Sequence, residues 1–170
     1  MVAVLKGLGL VEMNPWEYTI IIVEDEANDV LLLKQAFEKA NVKNPIEVFR
    51  DGQEVMDYLS KLGRHSRSAL GDAPPALMLL DLKMPRKTGF EVLQWLRHQP
   101  QLKCMIVVVM ASSLHPSDIY RAYELGCNSY LSKPGNVDQL AEMVELIYRY
   151  WLLLNLNPDL PHARNPFRPS

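Results

Sequence analysis

The chain has 170 residues, 48% of them hydrophobic and 22% charged, with a formal net charge of -2. That size suits one domain, which buries roughly two thirds of its unfolded surface, so wholesale disorder is excluded. With no run of Lys and Arg there is no electrostatic footprint for nucleic acid.

The opening "MVAVLKGLGLVEMNPWEY" is apolar in parts but interrupted by Lys6 and Glu12. It has neither a basic start nor a small-residue cleavage site, so residues 1–17 read as an extra arm and not as a signal peptide. From Tyr18 onward, short β-branched apolar runs alternate with stretches of helical period. Strands are predicted at 19–23, 46–49, 76–81, 105–110 and 129–132, and helices at about 27–40, 52–61, 88–98, 116–125 and 136–154. In the first helix, Val30, Leu33 and Phe37 share a face. Pro116 suits a first helical turn and Gly126 a helix end.

The central strands lack apolar/polar alternation, which means both faces are covered and the sheet is parallel. A strict (βα)5 order then predicts a doubly wound α/β domain over 18–154 with helices on both faces. Residues 61–75, rich in Gly, Ser, Pro and basic side chains, read as an enlarged loop or a prolonged helix followed by a loop. Residues 155–170 read as a Pro-rich tail with no element of its own. No second domain is predicted. His65, His98, His115 and His162 are scattered, which favours surface roles over a metal site. Cys104 and Cys127 stand far apart with no CxxC spacing, which fits a reducing cytoplasm better than a disulfide framework or zinc.

Ligands of open parallel sheets bind beyond the carboxyl ends of the strands. The first strand ends in Glu24-Asp25, the third in Asp81, the fourth in "ASS" at 111–113 and the fifth in Ser132-Lys133-Pro134. Three carboxylates on one edge repel one another unless a cation intervenes. Mg²⁺, a hard ion that needs only a few carboxylates, answers that need. Taken singly, each of these residues has an ordinary reading: Asp81 as a turn or cap residue, Glu24-Asp25 as a helix-start pair, Lys133 as a solvated charge.

"VEDE" at 23–26, "DLKMPRKTG" at 81–89 and "YLSKP" at 130–134, in this order and spacing, resemble the receiver domain of two-component response regulators. The resemblance covers about 18–154 and implies a flavodoxin-like fold. It implies Asp81 as the acceptor of a phosphoryl group from a sensor histidine kinase. Asp25 and the main-chain carbonyl of Lys83 would bind Mg²⁺, with Glu24 reaching it directly or through water. Lys133 would pair with the phosphoryl oxygens, Lys133-Pro134 would be a candidate cis peptide, and Tyr130 would be the aromatic switch residue.

Where the family carries a Ser or Thr, this chain has Ala111; Ser112 follows as the substitute hydroxyl. The long loop and the "YWLLLNLNP" ending resemble stand-alone receivers partnered with phytochrome-type and other sensor kinases.

Two other readings stand beside this one. A Mg²⁺-dependent phosphatase also uses an Asp nucleophile, but its second acid two residues on is here Lys83. A phosphorylation-independent binding module is favoured by Ala111. In the last helix, Leu140, Val144, Ile147, Trp151 and Leu154 form a stripe expected to pack on the sheet. Met143, Leu146, Tyr150 and Leu153 form a second, more exposed one. By resemblance, that patch predicts a homodimer through the fourth helix, fifth strand and fifth helix.

Overall fold

The computed structural model describes residues 17–64 and 75–157. The expected arm, most of the 61–75 loop and nearly all of the tail lie outside the described residues. The elements run β1 (Thr19–Val23), α1 (Ala27–Lys39), β2 (Ile46–Phe49), α2 (Gly52–Arg64), β3 (Pro75–Leu80), α3 (Gly89–Arg97), β4 (Ile106–Ala111), α4 (Pro116–Glu124), β5 (Ser129–Ser132) and α5 (Val137–Tyr148). All five strands are parallel, in the order β2-β1-β3-β4-β5. β3 and β4 are each offset by one residue from the expected bounds, and α2 runs on to Arg64.

Alternate strand residues feed two cores because successive side chains point to opposite faces. Ile20, Ile22, Leu77, Leu79, Val108 and Met110 pack with Leu33, Phe37, Leu140 and Val144 of α1 and α5. Ile21, Val23, Met78, Leu80, Val107 and Val109 pack with α2, α3 and α4 through Val55, Leu59, Val92, Leu93, Leu96 and Ala122. This is why the central strands read as continuous apolar runs: both faces are dry.

After Tyr148 the last helix loosens into a π-helical segment, Arg149–Leu154. The wider turn brings residues five apart onto one face. Ile147 is therefore followed inside by Leu152, while Leu154 is exposed and Trp151 only partly covered. The expected inner stripe thus holds through Leu140, Val144 and Ile147, and then Leu152 replaces Leu154. Of the outer stripe, Leu146 and Tyr150 are exposed, whereas Met143 packs partly on the core.

Candidate functional site

Strand register builds the site. Val23 lies opposite Leu80, and the Asp81 amide donates to the Val23 carbonyl at 3.0 Å. The chain therefore leaves β1 and β3 side by side with Glu24-Asp25 next to Asp81. Ala111 lies opposite Ser132, and the Lys133 amide donates to the Ala111 carbonyl at 3.1 Å, which sets Lys133 at the same edge.

The loop after Asp81 is held close. The Gly89 amide donates to the Leu82 carbonyl at 3.1 Å. A Cβ on Gly89 would stand 2.2 Å from the Asp81 carbonyl oxygen, so only glycine lets α3 start here. Thr88 and Glu91 form a capping box on α3. On the other side, the Arg86 guanidinium binds buried Asp51, whose carboxylate also accepts from the Gln53 and Glu54 amides at 2.8 and 3.0 Å. Arg86 itself sits at φ 59.

Within this frame, one oxygen each of Glu24, Asp25 and Asp81 lies within 4.8 Å of the others. Glu24 is only 3% exposed and Asp81 7%. Lys133 Nζ donates to Glu24 Oε2 at 2.5 Å and to Asp29 Oδ2 at 2.9 Å, and it forms an ion pair with Asp81 Oδ1 at 2.9 Å. The other oxygen of Asp81 accepts from the Lys83 amide at 2.6 Å, and Glu24 Oε1 accepts from the Glu26 amide at 3.2 Å.

Burial pushes the Glu24 carboxyl up, helped by the charge of Asp81; the hydrogen bond and charge of Lys133 oppose this without cancelling it. Burial alone would lower Lys133, but its hydrogen bonds to Glu24, Asp81 and Asp29 outweigh that and raise it. The ammonium is thus held charged among carboxylates that outnumber it. Such a set fits a hard divalent cation, because Glu24 is too buried to be relieved by water.

The structure brings together Glu24, Asp25, Asp81, Lys133 and the Lys83 main chain. It does not bring the expected switch residues into that group. Ala111 is buried at the end of β4, and Ser112 is exposed. Ser113 spends its hydroxyl on Asp118 at 2.8 Å. The Tyr130 hydroxyl donates to the Ser113 carbonyl at 2.8 Å, and burial raises its pKa, with Asp118 and Asp81 adding to the rise.

The candidate cis bond is corrected: every described peptide bond is trans, Lys133-Pro134 included. Trans is the lower-energy isomer before proline, and it already lets Lys133 reach three carboxylates. Asp29 escaped the sequence reading. Its signal was position alone, since it lies on the first turn of α1 just after the acidic pair.

Residues 20–145 match the family described as response regulator receiver domain. The chain is similar to the probable methanogenesis regulatory protein FilR2 of Methanothrix harundinacea, 37% identical over 83% of this chain and 88% of that protein. It is 36% identical to response regulator Rcp1 of Synechocystis sp. over 83% of this chain and 92% of that protein. A crystal structure of the Mn²⁺-bound form of Rcp1 superposes with a TM-score of 0.69 at 33% identity, covering 83% of this chain and 99% of that one. The phosphorylated cyanobacterial phytochrome response regulator RcpA superposes with a TM-score of 0.72 at 35% identity, covering 84% of this chain and 99% of that one.

Proposed function

We propose, from the premise that the chain belongs to the response regulator receiver family, that Asp81 accepts a phosphoryl group from a sensor histidine kinase. The observation that carries this reading is Lys133 Nζ, 2.9 Å from Asp81 Oδ1 inside a buried set of carboxylates. A nucleophilic carboxylate needs a cation ready for the charge that arrives on it, and phosphoryl transfer is largely positioning and charge neutralisation. Lys83 lends Asp81 a main-chain hydrogen bond that orients the carboxylate.

Mg²⁺ is the proposed cofactor, held by Glu24, Asp25, Asp81 and the Lys83 carbonyl, where it supplies positive charge against the transferred oxygens. The Mn²⁺-bound form of the relative Rcp1 supports a divalent ion as the cofactor. The likeness to RcpA supports a kinase of the phytochrome type. On this reading the protein is a cytoplasmic phosphoacceptor and not a turnover enzyme; Lys83, where a phosphatase has its second acid, supports that.

Signal output is proposed through a homodimer using α4, β5 and α5. Leu146, Tyr150 and Leu156 are 69%, 54% and 64% exposed, apolar side chains near the end of α5 that a second copy would cover. Light scattering should report twice 19.4 kDa, and Leu146→Asp with Tyr150→Asp should halve it. A wild-type chain of single mass, with and without a phosphoryl analogue, removes the dimer.

A second reading, a binding module that works without phosphorylation, is favoured by buried Ala111, since no hydroxyl at that position can follow the phosphoryl group. One experiment separates the two. Incubation with a small phosphodonor and Mg²⁺ should add one phosphoryl group to the wild type and none to Asp81→Asn, with both proteins folded. Absence of uptake in the wild type selects the module, and labelling of the Asn variant moves the acceptor elsewhere.

A further inference from the structure

An ammonium has three N–H donors; Lys133 gives one to Glu24 and one to Asp29 and pairs with Asp81 at 2.9 Å. The three acceptors are unequal. The side chains of Glu24 and Asp81 are 3% and 9% exposed, whereas that of Asp29 is 36% exposed. When a phosphoryl group arrives on Asp81, Lys133 has to turn donors toward the new oxygens. Giving up Asp29 costs least, because water and the positive end of α1 can take over its charge. Apolar Leu33, Met110 and Leu140 line a cavity of about 30 Å³ against this ion pair. Such a wall keeps the local dielectric low and makes Asp29's charge felt further into the pocket.

We propose that Asp29 is a positioning residue for Lys133 whose negative charge, at the solvent-facing rim of the phosphorylation pocket, makes uptake depend on the charge of the phosphoryl donor. The inference rests on Asp81 being the acceptor. In the step concerned, a carboxylate oxygen of Asp81 bonds to phosphorus as the bond from phosphorus to the leaving group breaks. The electron pair departs with acetate from acetyl phosphate, or with ammonia from phosphoramidate, whose nitrogen is already protonated. Asp29 holds the ammonium in line before the step and competes with the incoming oxygens for it. It also repels a dianion more than a zwitterion of smaller net charge.

The test compares initial rates of uptake from dianionic acetyl phosphate and zwitterionic phosphoramidate, with Mg²⁺ present. Asp29→Asn keeps an acceptor for Lys133 but removes the charge. It should raise the acetyl phosphate rate about three- to tenfold and change the phosphoramidate rate less than about twofold. The gap should shrink at high salt, and Asp29→Glu should restore the wild-type ratio. A merely structural role would move both donors together, so an unchanged ratio overturns the inference while leaving the acceptor intact. Labelling that persists in Asp81→Asn overturns the acceptor and the inference with it.

Discussion

The two ends of the parallel sheet each hold a partly buried cation, and they treat it in opposite ways. Beyond the carboxyl ends of the strands, Lys133 is held by three carboxylates. At the other end, Arg97 of α3 donates to the Gly126 carbonyl at 2.9 and 2.6 Å, to the Lys103 and Met105 carbonyls at 3.0 Å and to Asn128 Oδ1 at 3.2 Å. Burial lowers Arg97, only partly offset by Cys104 and Cys127, whereas the net shift of Lys133 is upward. Neutral carbonyls fixed in backbone give a guanidinium nowhere else to go, so Arg97 is a staple. Carboxylates can trade a lysine for a metal ion, and the lysine can trade a carboxylate for a phosphoryl oxygen, so Lys133 is exchangeable.

The sharpest way to break this contrast is to remove each cation in turn. Arg97→Ala leaves several partly buried carbonyls unpaired and should cost about 3 kcal/mol of stability, with or without Mg²⁺. Lys133→Ala leaves carboxylates facing one another and should cost about as much in metal-free buffer. Millimolar Mg²⁺ should then recover most of that loss, because a second cation can occupy the same charge deficit. Denaturant titrations of each variant against wild type at the same Mg²⁺ concentration check both, and a gap that Mg²⁺ closes for Arg97→Ala, or leaves open for Lys133→Ala, would erase the distinction.

A smaller effect is expected from the wild type itself. A ligand that binds only the folded chain adds RT ln(1 + [L]/Kd), about 2.7 kcal/mol at about a hundred times Kd. The melting temperature should therefore climb with Mg²⁺ in the wild type and stay flat in Asp25→Ala, which loses one of the three clustered oxygens. A wild-type melting temperature indifferent to Mg²⁺ would leave Lys133 as the sole cation for the acidic edge.

How much of this was legible depends on which distances backbone regularity sets. Glu24, Asp25, Asp81 and Lys133 each follow a strand end, and parallel register carries strand ends to a common edge, so counting along the chain was enough. Asp29 and Arg97 meet their partners through the rotation of a helix about its axis, which no strand count supplies. Leu152 was missed because a period of 3.6 was carried past Tyr148 into a segment that turns more slowly. The trans bond at Lys133-Pro134 was missed because the resemblance, and no residue of this chain, argued for cis.

α3 joins the two ends, starting on the capping box beside the site and finishing on Arg97, and its first turn offers the mildest test. Glu91 lies well below the usual carboxylate range, at about 2, because Lys87 hydrogen-bonds it and the Thr88 amide and hydroxyl do the same. A carboxyl with a lower pKa in the folded state binds fewer protons there than in the unfolded chain. Its stabilisation is therefore present above the unfolded value of about 4.3 and is lost as pH falls from there toward about 2. Glu91→Gln should lower stability slightly at neutral pH and flatten the acid limb between those limits. The side chain is 43% exposed, so solvent screening keeps the change small. Thermal melts at stepped pH check it, and parallel acid limbs for the two proteins would show that the box stabilises α3 without using the Glu91 charge.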